Sequence, residues 1–256
     1  MTVLNLCKFV VLVFLVGISY ALHSYSLLCK FLHGCSPSMY RCSSEDRRVA
    51  RVVGSYTRAH AAELGNALPT EPIFFLKPTS AYINEGSTIK APPGCSNLHH
   101  EVELGVVISQ PGCNIPESLA MDHVGGYALA LDMTARDLQD KAKKLGAPWT
   151  LAKMFDTSCP VSAFLAKGDV GDPHNLRLWL RVNGEIRQDS STKDMIFTIP
   201  TLLSYISRYI SLQEGDLVLT GTPSGVGPVI SGDVITCGLE DDSKEKLKMS
   251  FTVAGQ

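Results

Sequence analysis

Apolar and polar residues alternate over much of this chain, and the clearest run is His99 to Ile108. With a period of two, Val102, Leu104, Val106 and Ile108 point one way and form a buried face. Glu101, Glu103 and Gly105 point the other way, with His99 on their side and His100 opposite. The same alternation predicts strands over Val49 to Val53, closed by Gly54, and over Ile73 to Lys77, ended by Pro78. It also predicts Tyr127 to Asp132, where Asp132 shares a face with the small residues Ala128 and Ala130. Leu176 to Val182 and Glu185 to Gln188 flank Asn183-Gly184, a pair suited to a tight hairpin turn. Leu217 to Thr220, Val234 to Cys237 and Lys248 to Val253 complete the predicted strands.

Helical spacing is rarer. Thr57 to Leu64 forms a short helix carrying His60 and Glu63, stopped by Gly65. Pro116 to Met121 makes a helical turn. Ala135 to Lys144 forms a helix capped by Thr134, with Asp137 at the favourable end of its dipole. Ile199-Pro200 starts another that runs through Tyr209. Many short strands, few helices and no βαβ rhythm or repeat predict a β-rich α+β domain.

Length and charge narrow the function classes. At 256 residues the chain can bury one large core. A net charge of -2 carries no electrostatic footprint for nucleic acid. The eight cysteines have no CxxC spacing, which argues against a zinc ribbon or a small disulfide scaffold.

Residues 1 to 44 read as a leader and residues 45 to 256 as the globular domain. The leader has no Asp or Glu, places Lys8 ahead of the apolar run Phe9 to Ile18, and follows it with Ser19-Tyr20-Ala21. That chemistry resembles a secretory signal; a mitochondrial leader or an incorrectly extended start are the other readings. The run is short for a membrane span, so no stable membrane association is expected of the mature protein. The family resemblance carried by the rest of the chain, given below, implies a mitochondrial or cytosolic location instead.

Three acids form an all-oxygen set: Glu101, Glu103 and Asp132. Two bare carboxylates about 4 Å apart repel by roughly 4 kcal/mol in a protein site, so a buried pair calls for a shared proton or a cation. Hard oxygen ligands suit Mg²⁺, Mn²⁺ or Ca²⁺, although Glu-x-Glu also fits a solvated strand face. His60 and Glu63 stand one helical turn apart; a carboxylate holding one ring nitrogen leaves the other free to accept a proton. Such pairs also occur on exposed helices. Arg136 and Gln139 share a helix face. The turn Gly221 to Gly227 lacks a P-loop ending, yet its backbone N–H groups and the Thr222 hydroxyl could bind a small carboxylate.

Five segments together resemble the fumarylacetoacetate hydrolase family: EPIFFLKP (71–78), LHHEVELG (98–105), GGYALALDMTARD (125–137), PWTLAK (148–153) and LTGTPSGVGP (219–228). The resemblance implies a mixed β-sandwich roll with short helices and a homodimer. It implies Mg²⁺ or Mn²⁺ on Glu101, Glu103 and Asp132, and a His60/Glu63 dyad on a lid helix. Lys153 then serves as a catalytic cation, with Gln139, Thr222 and Arg136 binding the substrate. The implied substrate is a small 2-oxo acid, through acylpyruvate hydrolysis, oxaloacetate decarboxylation or oxaloacetate tautomerisation. One stretch departs from the family: GSYTRAH stands at 54–60 where GRNYADH is usual, which keeps open the alternative of a catalytically impaired metal- or ligand-binding homologue.

Overall fold

The computed structural model describes residues 50–53 and 69–255. His60, Glu63 and the altered stretch around Ser55 lie outside the described residues, as does the leader.

Two sheets carry the fold. The first runs, in spatial order, Leu165–Ala166, Val124–Leu131, Val102–Ile108, Leu217–Leu219, Ala50–Val53 and Phe74–Lys77. The second runs Glu185–Ser191, Arg177–Val182, Val234–Asp241, Lys244–Ala254 and Thr88–Lys90. A three-stranded sheet of Gly227–Val229, Leu98–His100 and Thr134–Ala135 and a two-stranded one of Tyr82–Ile83 and Cys159–Pro160 complete it. Three short helices, α1 (Arg136–Leu145), α2 (Thr150–Lys153) and α3 (Ile199–Tyr209), join a few single turns. The domain is strand-rich α+β with parallel and antiparallel pairings, as the alternation predicts.

Burial explains this arrangement. Val102, Leu104, Val106 and Ile108 pack with Leu129 and Leu131 against Leu178, Leu180, Ile235 and Phe251 of the second sheet, and Leu202 and Ile206 of α3 join that core. The opposite face of the first sheet packs a smaller cluster of Ala128, Ala130, Val161, Leu217 and Leu219. All seven residues of Val102–Ile108 are buried, so neither face of the acidic strand meets water. Gly105 fits this layer because a Cβ there would come within 2.8 Å of Leu217 Cδ1.

Several elements differ from the sequence reading. Thr134 does not cap α1; the helix begins at Arg136 with no side-chain cap, and the Thr134 hydroxyl donates to Asp132 O at 3.0 Å. Asp137 accepts from Leu138 N–H and from Ser96 instead, staying at the positive end of the helix. The two C-terminal strands are longer than predicted, Val234–Asp241 and Lys244–Ala254, because the β-turn between them extends the ladder outward. No described helix is long and apolar enough to cross a membrane.

Candidate active site and metal centre

Antiparallel pairing of Val102–Ile108 with Val124–Leu131 sets Glu103 opposite Ala130 and Val102 opposite Leu131. Just past the ladder, Asp132 N–H donates to Glu101 O at 2.8 Å, fastening the two strand ends together. Glu101, Glu103 and Asp132 consequently converge: each offers a carboxylate oxygen, and these lie within 4.8 Å of one another. Glu103 and Asp132 are only 2% and 1% exposed. The three acids named from sequence form one buried cluster, whose all-oxygen donors fit a hard divalent ion.

Each acid has an oxygen held from behind. Lys153, at the end of α2, places Nζ 2.9 Å from Glu101 Oε2 and 2.6 Å from Asp132 Oδ2, and donates to Thr134 Oγ1. Its three protons are thereby all placed. Arg136 donates to Glu101 Oε1 through Nη2 and to Gln139 Oε1 through Nη1, at 2.5 and 2.6 Å. Gly221 N–H donates to Glu103 Oε2 at 2.6 Å. Gln139 is buried against this cluster, and Phe75 lies under Lys153, its ring centroid 5.0 Å from Nζ.

Lys77 is a member that sequence reasoning missed. Fully buried, its Nζ sits 2.8 Å from Asp132 Oδ1 in an ion pair, and also donates to the carbonyls of Lys153 and Met133. It stands on a strand end before Pro78, a place with no sequence signal beyond the family-like segment around it.

Electrostatics separates the two glutamates. Burial opposes the charge of Glu101, but the Lys153 ammonium and Arg136 guanidinium outweigh it and hold the carboxyl well below the usual range. Burial and then the charges of Asp132 and Glu101 push Glu103 well above it, against the pull of Gly221 N–H. Lys153 is raised: burial lowers it, and Asp132 and Glu101 more than compensate. Without a divalent ion, these surroundings favour the protonated form of Glu103.

Both histidines of the acidic run lie where alternation puts them. His99 faces the glutamate side; burial, then Arg136, lowers it to about 4, and its Nδ1 accepts from Arg136 Nε at 3.4 Å. It braces Arg136 and is outside the acidic cluster. His100 points away, toward Gln188. The Thr222 hydroxyl departs from expectation. It donates to Val102 O at 2.9 Å and accepts from Gln188 Nε2 at 2.8 Å, so its proton is not turned toward a ligand.

Comparison with known proteins gives a consistent result. The family described as "Fumarylacetoacetate (FAA) hydrolase C-terminal" matches residues 49–251. The mitochondrial oxaloacetate tautomerase of Arabidopsis thaliana is 59% identical over 187 residues, covering 73% of this chain and 84% of that protein. The corresponding human protein is 57% identical over 187 residues, covering 73% and 85%. Among solved structures, fumarylpyruvate hydrolase from Pseudomonas aeruginosa in complex with Mn²⁺ and pyruvate is 38% identical, with a TM-score of 0.76 and coverage of 82% of this chain and 91% of that one.

Proposed function

Because this chain belongs to the fumarylacetoacetate hydrolase family, we propose that it acts on small 2-oxo acids at the carbon beside the keto group, with Mg²⁺ or Mn²⁺ as cofactor. The chain is an enzyme of that family. The observation that carries the reading is the convergence of Glu101, Glu103 and Asp132 beside Lys153. A Mn²⁺ and pyruvate complex in one structural relative supports the ion and the substrate class. The name oxaloacetate tautomerase in sequence relatives supports keto–enol exchange of oxaloacetate.

Glu101, Glu103 and Asp132 would hold the divalent ion, which would supply Lewis acidity worth several kcal/mol to a bound 2-oxo acid. The residues around it do the rest. Lys153 and Arg136 offset the charge of a bound anion, Lys153 by exchanging one of its three present hydrogen bonds for a substrate oxygen. Gln139 holds the Arg136 fork in place. His60, backed by Glu63, moves the proton: to and from C3 in tautomerisation, or from water in acylpyruvate hydrolysis. Oxaloacetate decarboxylation would break C3–C4, the C4 carboxylate leaving as CO₂ and C3 taking up a proton in its place.

With Mg²⁺ or Mn²⁺, purified protein is expected to interconvert enol and keto oxaloacetate and to cleave acetylpyruvate. A chelator should abolish both, and added Mg²⁺ should restore them; absorbance of the enol follows each reaction. A folded protein that binds Mn²⁺ yet turns over none of these acids would leave the impaired-homologue reading, favoured by the altered residues 54–60. We also infer a mitochondrial location, supported by the mitochondrial names of the sequence relatives. A fluorescent fusion of residues 1–44 is expected in mitochondria; secretory-pathway fluorescence would overturn it.

A further inference from the structure

Gln188 is the one fully buried residue of Glu185–Ser191, a strand at the edge of the second sheet. A β-bulge puts it there. Leu180 pairs with Gln188 and Arg181 with Ile186, leaving Arg187 as the extra residue. Ile186 and Gln188, two apart in sequence, consequently part company: Ile186 is 48% exposed and Gln188 is 0% exposed. Bulges re-aim side chains in this way and are enriched beside active sites.

The re-aimed carboxamide makes four hydrogen bonds, all directed at the site. Oε1 accepts from Val102 N–H and from His100 Nδ1, each at 3.0 Å. Nε2 donates to Thr222 Oγ1 at 2.8 Å and to Pro223 O at 2.9 Å. The amide orientation is over-determined, since Val102 N–H needs an acceptor and Pro223 O needs a donor. That orientation fixes the proton of His100 on Nδ1. One side chain therefore ties the strand between Glu101 and Glu103 to the turn whose Gly221 N–H holds Glu103. The turn also rests on the bulge itself. A Cβ on Gly225, whose φ is +89°, would lie 1.9 Å from Arg187 O.

We propose that Gln188 is a positioning residue for the metal centre. From the second sheet it clamps the Gly221–Pro223 turn to the acidic strand, and through Gly221 it sets the orientation of Glu103. The proposal rests on the metal-binding reading above. Residues that orient metal ligands from behind change affinity by about 10- to 100-fold when replaced. Gln188 acts through one further hydrogen bond, so the lower end applies.

The test measures Mn²⁺ binding alone by calorimetry, then kcat and KM at saturating Mn²⁺, with thermal melting in parallel. Gln188→Glu keeps the acceptor half of the clamp and loses the donor half; Gln188→Leu loses both. Both variants are expected to bind Mn²⁺ about 10-fold more weakly and to lose kcat well below their melting temperatures, with Gln188→Leu the worse. Melting temperatures that fall while Mn²⁺ affinity, kcat and KM stay within twofold of the parent would show a merely structural strut and overturn the proposal. If neither variant folds, hydrogen exchange on the parent decides: the Gly221 amide and the Gln188 carboxamide should open together, and unequal protection would overturn it. Absence of Mn²⁺ binding by the parent would sink the metal reading instead, leaving the exchange comparison to judge the clamp.

Discussion

Replacing Glu103 by Gln is expected to weaken Mn²⁺ binding at least about 100-fold and to lower turnover about 1,000-fold, while leaving the protein folded. The amide carries no charge for the ion, yet its carbonyl can still accept from Gly221 N–H. It also mimics the protonated form, which burial and the Asp132 and Glu101 charges favour at Glu103. The sign of the pH dependence follows. The folded pKa of Glu103 lies above the unfolded one, so its contribution to stability is fully present below the ordinary carboxylate range and is lost as pH rises through the folded value. The metal-free Glu103→Gln protein escapes that loss and should exceed the parent in stability at neutral pH. Binding Mg²⁺ favours the ionised carboxylate, so calorimetry in buffers of different ionisation heat should register proton release from the parent. No such release is expected from the variant. A Glu103→Gln protein that binds Mn²⁺ within a few-fold of the parent would remove Glu103 from the metal set.

Lys77→Met should cost the metal-free protein about 3–5 kcal/mol in urea unfolding, the range for breaking a buried ion pair from one side. Lys77 is fully buried, with Asp132 Oδ1 at 2.8 Å and two carbonyls as further acceptors. Methionine fills the space and leaves all three without the ammonium. The damage is electrostatic, so saturating Mg²⁺ should narrow the gap by bringing positive charge back to the acidic cluster. A loss below about 1 kcal/mol would mean that Lys153 alone satisfies Asp132.

The acids of the site were legible because a strand of period two lies between a large core and a layer of small side chains. Glu103, Gly105, Ala128 and Ala130 show that contrast directly in sequence. The cations were less so. Lys153 and Arg136 rested on family likeness, and Lys77 gives no local sign that it ends within reach of Asp132. Thr134 looked like a helix cap by position, but the Lys153 ammonium and Asp132 carbonyl compete for its hydroxyl and win. Gln188 was hidden by the bulge, since alternation assigns it to the same face as exposed Ile186. The short strands Thr134–Ala135 and Gly227–Val229 escaped detection because each depends on a partner far along the chain.

Glu103 waits for a partner 118 residues downstream, and Lys77 closes on a carbonyl 76 residues away. During synthesis the acidic strand leaves the ribosome long before Lys153, Gln188 or Gly221 exists to brace it. A nascent chain thus presents loose carboxylates rather than a formed cage. If the cluster takes an ion, as proposed, the cage that receives it exists only after the last third of the polypeptide has folded back, so the ions of the compartment where folding finishes would decide what fills it.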